Sequence, residues 1–162
     1  MSDMGDPGAL RIDVLIGDTV VCVVPTATLR EVANVLIDDG ISAVVVGSQE
    51  RPVGIVSEHD IVRAVADGAD SSTTAADIAH TQLFWSEASS SVAEVATQMM
   101  DQYVRHILVE DEGRLAGIVS ARDLLGVYAI SEGLPGNDGS SDSDKSPNGD
   151  TSGESSSELS GD

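Results

Sequence analysis

The sequence has one cysteine, one lysine and no long apolar run. Cys22 cannot form an intrachain disulfide by itself, and its place in the run VVCVV predicts an ordinary core residue. No apolar stretch approaches the roughly 18 residues needed to span a bilayer, and the acidic, polar first ten residues are unlike a secretory signal. These features predict a soluble protein of a reducing, cytoplasmic compartment.

Positive charge is scarce throughout the chain. The 162 residues include 28 Asp and Glu but only 8 Lys and Arg, which gives a formal net charge of −20. Because such a surface repels phosphate backbones and anionic lipids, we expect neither nucleic-acid binding nor membrane binding. The composition resembles that of proteins from salt-in halophiles, in which carboxylates keep the protein hydrated.

Motifs typical of enzymes are also missing. The sequence contains no Gly-rich P-loop, no dinucleotide-binding fingerprint and no nucleophile elbow. Cys22 has no recognisable base partner, and His80 lies in a linker without a metal partner at a known spacing. We therefore expect a protein that is not an enzyme and that needs neither a metal nor a resident cofactor.

One 13-residue segment occurs twice with closely similar sequence. GIVSEHDIVRAVA occupies residues 54–66 and GIVSARDLLGVYA occupies residues 117–129. At the same offset, residues 28–66 align with residues 91–129 without a gap, and most core positions exchange one aliphatic residue for another. An internal duplication of this extent predicts two copies of one structural unit.

Each copy has the same order of local signals. A strand precedes a helix that opens with a hydroxyl residue and a glutamate three positions later, which is a capping box. A two-stranded hairpin and a short helix follow. The sequence thus predicts an α/β (α+β) fold of two β-α-β-β-α units, with first strands at 19–24 and 82–86, capped helices at 28–39 and 91–102, and last helices at 58–67 and 121–130.

Composition divides the chain into four parts. Residues 1–10 are predicted to be a flexible leader, and residues 11–69 and 74–130 form the two units. Residues 131–162 are rich in Gly, Ser and Asp, and such a segment cannot bury enough apolar surface to offset its ordering entropy. We expect a disordered acidic tail, either merely solvated or used for interaction.

The duplicated unit resembles the CBS domain, and the pair resembles the tandem known as a Bateman module. The segments PTATLREVANVLIDDGISAVVV and YVRHILVEDEGRLAGIVSARDLL carry the resemblance, which covers about residues 11–130. It implies two units packed about a pseudo-two-fold axis with two clefts between them. Many family members bind adenosine nucleotides there (AMP, ADP, ATP or S-adenosylmethionine), and many form homodimers. A regulatory family of this kind also implies an unidentified regulated partner protein.

The repeated polar letters have two interpretations. Ser57-x-x-Asp60 and Ser120-x-x-Asp123 lie where a strand becomes a helix, so each predicts a helix cap. A helix N-terminus also attracts anions, and a carboxylate beside it can accept the hydroxyls of a ribose. The family resemblance implies that the Asp of each motif binds ribose and that the Ser lies near phosphate, and both roles can coexist.

Three scarce cations match family positions that face phosphate, namely Arg105, His106 and Arg122. The first repeat has Ser42, Ala43 and His59 there. We therefore expect a phosphorylated nucleotide to prefer a second-repeat cleft, in which Ser120, Arg122 and Asp123 combine with Arg105 and His106. Alternatively, the two arginines pair with Glu110 or Asp111.

The resemblance further implies an apolar slot for the base, formed by Ile41, Val44, Val104 and Ile107. A dimerising scaffold without nucleotide is the alternative function.

Overall fold

The computed structural model describes residues 5–131 and contains two three-stranded sheets. In each sheet the middle strand pairs in parallel with the first strand and antiparallel with the last. The first repeat comprises β1 (Cys22–Val23), α1 (Leu29–Asp38), β2 (Ala43–Gly47), β3 (Pro52–Ser57) and α2 (Glu58–Ala66). A short α3 (Ala75–Ile78) precedes the second repeat, which comprises β4 (Trp85–Glu87), α4 (Val92–Gln102), β5 (His106–Asp111), β6 (Arg114–Ser120) and α5 (Ala121–Ser131).

Local sequence signals explain where these elements begin and turn. Thr28 caps α1 and Ser91 caps α4, and each forms the reciprocal capping box predicted from the glutamate three residues later. The β5–β6 hairpin turns at Glu112 and Gly113, whose φ values of 49° and 76° are those that a tight two-residue hairpin turn requires. The first strands are shorter than predicted, because only two residues of β1 pair with β2 and only three residues of β4, Trp85–Glu87, pair with β5.

The two repeats share a hydrophobic core. Each repeat has its own cluster of buried aliphatic residues between sheet and helices, including Val32 and Val44 in the first and Val95 and Ile107 in the second. A third cluster combines Val45 with Leu108 and Leu115, and so joins the two sheets. The predicted fold of two β-α-β-β-α units packed about a pseudo-two-fold axis is therefore confirmed.

The segment that precedes each repeat packs on the other repeat. Ile12, in a 3-10 turn at Ile12–Leu15, is 0% exposed within the core of the second repeat, and its N–H donates to the Ser90 carbonyl at 2.9 Å. Reciprocally, Ala75 is buried in the first repeat, and its N–H donates to the Ala27 carbonyl at 2.7 Å. This exchange ties both halves of the chain into one folding unit.

Part of the predicted flexible leader, residues 1–10, is packed on the second repeat, and residues 1–4 lie outside the described residues. Pro7–Ala9 forms a 3-10 turn that contacts α4 and α5. Gly8 permits this close approach, because a Cβ there would lie 3.3 Å from the Ala93 Cβ. Ser131 ends α5, and the rest of the predicted tail, residues 132–162, lies outside the described residues. Within residues 5–131, no helix has the length and apolar character needed to cross a bilayer.

Candidate functional site

Two clefts lie between the repeats, and each is lined by residues of both. The Asp60 cleft, of about 330 Å³, combines Ser57 and Asp60 with residues 102–106 of the second repeat. The Asp123 cleft, of about 390 Å³, combines Ser120 and Asp123 with residues 40–43 of the first repeat. Each Ser-x-x-Asp motif therefore faces the helix-to-strand loop of the opposite repeat.

Both motifs are helix caps. The N–H and the hydroxyl of Ser57 donate to Asp60 Oδ2 at 2.8 and 2.6 Å. The N–H and the hydroxyl of Ser120 donate to Asp123 Oδ2, each at 2.7 Å. Because the cap uses only Oδ2, the second carboxylate oxygen of each Asp is left for another partner.

The two clefts differ in the surroundings of the other carboxylate oxygen, Oδ1, of each aspartate. Asp60 Oδ1 lies 2.7 Å from His80 Nε2, and Asp60 is only 5% exposed. Burial raises the pKa of the Asp60 carboxyl, but hydrogen bonds from Ser57 and His80 outweigh burial, so the net pKa lies below its ordinary value. Asp123 is exposed, and its Oδ1 has no hydrogen-bond partner among residues 5–131.

The predicted grouping of the arginines is wrong. Arg105 lines the Asp60 cleft, whereas Arg122 lines the Asp123 cleft, so the two do not combine in one site. His106 lines both clefts. The reason is the crossed packing, which places the loop before β5 opposite the motif of the first repeat rather than its own.

The alternative of ion pairs with Glu110 or Asp111 is not seen. Among the described residues, the one arginine that pairs with a carboxylate is Arg11, with Asp13, and His80 contacts Asp60. Arg105 precedes β5 and Asp111 ends it, and an extended strand separates its ends by roughly 3.3 Å per residue. The guanidinium groups of Arg105 and Arg122 thus have no carboxylate partner in the part of the chain that the structure describes.

Two of the four residues predicted to hold a base do not line either cleft. Val44 and Ile107 are 0% exposed in the cores of their own repeats, because they point toward the helices. Ile41 does line the Asp123 cleft, and Val104 lines the Asp60 cleft. The apolar walls come instead from corresponding positions before the first strands, Val20 and Val21 in the Asp123 cleft and Leu83 and Phe84 in the Asp60 cleft.

All three histidines of the chain, His59, His80 and His106, line the Asp60 cleft. No group of three His, Cys, Asp or Glu within residues 5–131 is placed to hold a metal ion. His106 Nε2 lies 2.9 Å from Ser42 Oγ, and this hydrogen bond joins the two repeats between the clefts. Burial, followed by the charge of Arg105, lowers the pKa of His106, and nearby carboxylates oppose this shift without reversing it.

His106 should make stability pH-dependent. The unfolded histidine titrates near pH 6.5 and the folded one at a lower pH, so the folded state binds this proton less tightly. Stability from this group is complete above about pH 6.5 and is lost as the pH falls toward the folded pKa. We expect the urea midpoint of the wild type to fall between about pH 7 and 5, and His106→Gln to show a smaller fall. Equal falls in both proteins would contradict this role.

Comparison with known proteins identifies the family. A family model described as the CBS domain matches residues 13–67 and residues 75–130. The chain belongs to the CBS-domain family. Together the two matches cover both repeats, so the tandem arrangement expected from the duplication is confirmed.

Similar proteins extend over most of the chain. The solved structure of a CBS domain protein from Pyrobaculum aerophilum, complexed with AMP, is 34% identical, covers 77% of this chain and 98% of its own, and superposes with a TM-score of 0.67. An uncharacterised protein of Methanopyrus kandleri is 34% identical over 72% of this chain. The matched region covers 59% of that protein's length. Hypoxic response protein 1 of Mycobacterium tuberculosis is 32% identical over 65% of this chain and 76% of its own.

Proposed function

We propose that this CBS pair is a regulatory module that binds a phosphorylated adenosine nucleotide in the Asp123 cleft. The observation that carries the proposal is Asp123 Oδ1, a solvent-accessible carboxylate oxygen without a partner among the described residues, beside the cation Arg122. An acceptor for ribose hydroxyls and a donor for phosphate then occupy one cleft. The AMP complex of the similar P. aerophilum protein supports an adenosine nucleotide as the class of ligand.

The surroundings of Asp123 suit the rest of such a ligand. Asp123 and Arg122 lie in the first turn of the 11-residue helix α5, whose N-terminal N–H groups favour an anion. The opposite wall is apolar and can hold a base; it is formed by Leu15, Val20, Val21, Ile41 and Ile118. AMP, ADP, ATP and S-adenosylmethionine share the ribose and base that this arrangement would recognise.

Regulation follows from where the cleft lies. A ligand in the Asp123 cleft touches α5 of one repeat and the loop at Gly40–Ile41 of the other, so it favours one relative position of the two repeats. CBS-domain proteins are generally regulatory rather than catalytic, and a separate partner protein would respond to the changed conformation. We propose a cytoplasmic role, in keeping with the acidic surface.

Arg122→Ala tests the phosphate contact. Loss of one charge-assisted hydrogen bond costs about 1.5–3 kcal/mol, so AMP affinity should fall by roughly ten- to a hundred-fold while adenosine affinity is unchanged. Arg105→Ala is the matched control, since this arginine lines the other cleft. Titration calorimetry measures both ligands on both variants. If Arg122→Ala lost affinity for adenosine and AMP equally, Arg122 would not contact the phosphate. If Arg105→Ala lost more AMP affinity than Arg122→Ala, the ligand would bind in the Asp60 cleft instead.

A second candidate function is a dimerising scaffold, and an apolar groove favours it. This groove, of about 540 Å³, lies between α4 and α5. Its lining includes Met100, Tyr103 and Leu125, which are 76%, 95% and 69% exposed in the single chain. Large exposed apolar patches mark interaction surfaces, and a second copy of the chain is the occupant that we propose. A dimer is compatible with nucleotide binding, and a scaffold alone requires that no adenosine compound binds.

A further inference from the structure

We propose that His80 weakens nucleotide binding in the Asp60 cleft, so that each chain has one tight nucleotide site rather than two. This inference rests on the proposed function, because it concerns which of the two clefts accepts the ligand. It begins from the contact between His80 Nε2 and Asp60 Oδ1 at 2.7 Å. With Ser57 on Oδ2, both oxygens of Asp60 are already engaged.

The repeat offset shows why the other cleft lacks such a contact. The offset that aligns Ser57 with Ser120 also aligns Gly17 with His80. Gly17 lines the Asp123 cleft as His80 lines the Asp60 cleft, but it has no side chain to reach the aspartate. The two clefts therefore differ at one position that faces the ribose-binding carboxylate.

The backbone holds His80 in place. Its N–H donates to the Ile55 carbonyl at 2.9 Å, and its carbonyl accepts from the Ile55 N–H at 3.0 Å. The preceding Ala79 packs on Gly54, where an added Cβ would lie 2.8 Å from the Ala79 Cβ. At the matching positions of the other repeat, an added Cβ at Gly117 would lie 2.6 Å from the Ile16 Cβ. Both preceding residues thus pack on a strand glycine, whereas the pair of backbone hydrogen bonds that joins His80 to Ile55 has no counterpart between Gly17 and Ile118 among the described residues.

A ribose and the His80 imidazole would compete for the Asp60 carboxylate. A ribose that enters the Asp60 cleft must displace the imidazole from a carboxylate that is 5% exposed. Hydrogen bonds to charged groups are among the stronger ones, so this competition weakens binding by about ten- to a hundred-fold relative to a cleft with a free carboxylate oxygen. Arg63 and Arg105 line the Asp60 cleft, so an opened cleft still offers cations to a phosphate.

The asymmetry can be reversed by substitution. A Cβ added at Gly17 meets nothing within 4 Å, and the φ of Gly17 lies outside the left-handed region, so Gly17→His introduces no backbone strain. His80→Gly gives the Asp60 cleft the residue that the Asp123 cleft has. The double variant moves the histidine from the Asp60 cleft to the Asp123 cleft without changing either aspartate or any arginine.

Titration calorimetry with AMP counts the sites. We expect one equivalent per chain for the wild type, two for His80→Gly, and one again for His80→Gly with Asp60→Asn. Gly17→His should weaken the wild-type site by about ten- to a hundred-fold. In the double variant, the tight site should be sensitive to Asp60→Asn and insensitive to Asp123→Asn. Thermal melts confirm that each variant is folded.

The outcomes separate this inference from the proposed function. Two equal sites in the wild type, or a single site that persists in His80→Gly, would overturn the role of His80 while leaving AMP binding established. Absence of AMP binding in both the wild type and His80→Gly would overturn the proposed function and the inference with it. Gain of a second, Asp60-dependent site in His80→Gly supports both.

Discussion

Asp123→Ala is expected to weaken AMP and adenosine alike by about a hundredfold or more. Both compounds carry the ribose, and two hydrogen bonds to a carboxylate are worth about 1.5–3 kcal/mol each. The comparison of the two ligands distinguishes this effect from that of Arg122→Ala, which should spare adenosine. Titration calorimetry on the same preparations measures both affinities.

Asp60→Ala is the matched control for this substitution. It removes an equivalent capping carboxylate from α2, and a cap contributes about 0.5–2 kcal/mol to stability. We expect Asp60→Ala to lower the melting temperature while leaving AMP affinity unchanged. If the two alanine variants lost AMP affinity equally, the loss would report damage to the fold rather than a ribose contact at Asp123.

Salt is expected to raise the melting temperature by about 10 °C between roughly 0.01 and 1 M KCl. The chain carries a formal charge of −20, and residues 5–131 contain only one pair between an arginine and a carboxylate, so salt screens far more repulsion than attraction. Over this range the Debye length falls from about 30 to about 3 Å. Most of the rise should come below about 0.15 M, where the screening length has already reached about 8 Å.

The shape of the salt curve separates screening from salt exclusion. Excluded salts such as sulfate stabilise proteins progressively at high concentration, whereas screening by KCl acts mainly at low concentration. Neutralising a close pair of acids with Asp38→Asn and Asp39→Asn should reduce the rise at low salt. A melting temperature that does not change across the whole KCl range would contradict the halophile-like interpretation of the composition.

The duplication was sufficient to predict the fold, since repeated capping boxes and hairpins specify the same unit twice. The reciprocal packing of Ile12 and Ala75 was not predicted, because sequence order does not show which repeat a preceding segment contacts. A signal was present nonetheless. Ile12, Leu15 and Ile16 have helical apolar spacing, which indicates a packed segment before the first strand but does not show which repeat it packs on.

The candidate site was predicted only in part, because a cleft between two repeats is a tertiary feature. The repeated sequence identifies the Ser-x-x-Asp motifs at Asp60 and Asp123. The grouping of Arg105 with Arg122 rested only on the matching positions in the family. The sequence also does not give the direction of the side chains in the aliphatic strands. A continuous apolar run such as AVVV does not show which residues face the helices and which face the other sheet. Val44 was therefore assigned to a cleft although it lies in the core.

The sequence places His80 in a linker, yet its contact with Asp60 is the clearest difference between the clefts. The repeat alignment contained the relevant signal, since it places a histidine opposite Gly17 at a position next to the buried strands.

The melting temperature of the wild-type protein with and without AMP tests the central claim most directly. A ligand at about 100 times its dissociation constant stabilises the folded state by about 2.7 kcal/mol, so we expect a rise of roughly 8 °C that continues to grow with the logarithm of the AMP concentration. Asp123→Ala should abolish most of this rise, and His80→Gly should increase it. A melting temperature that stays constant in millimolar AMP, ATP and S-adenosylmethionine would contradict nucleotide binding and would favour the dimerising scaffold.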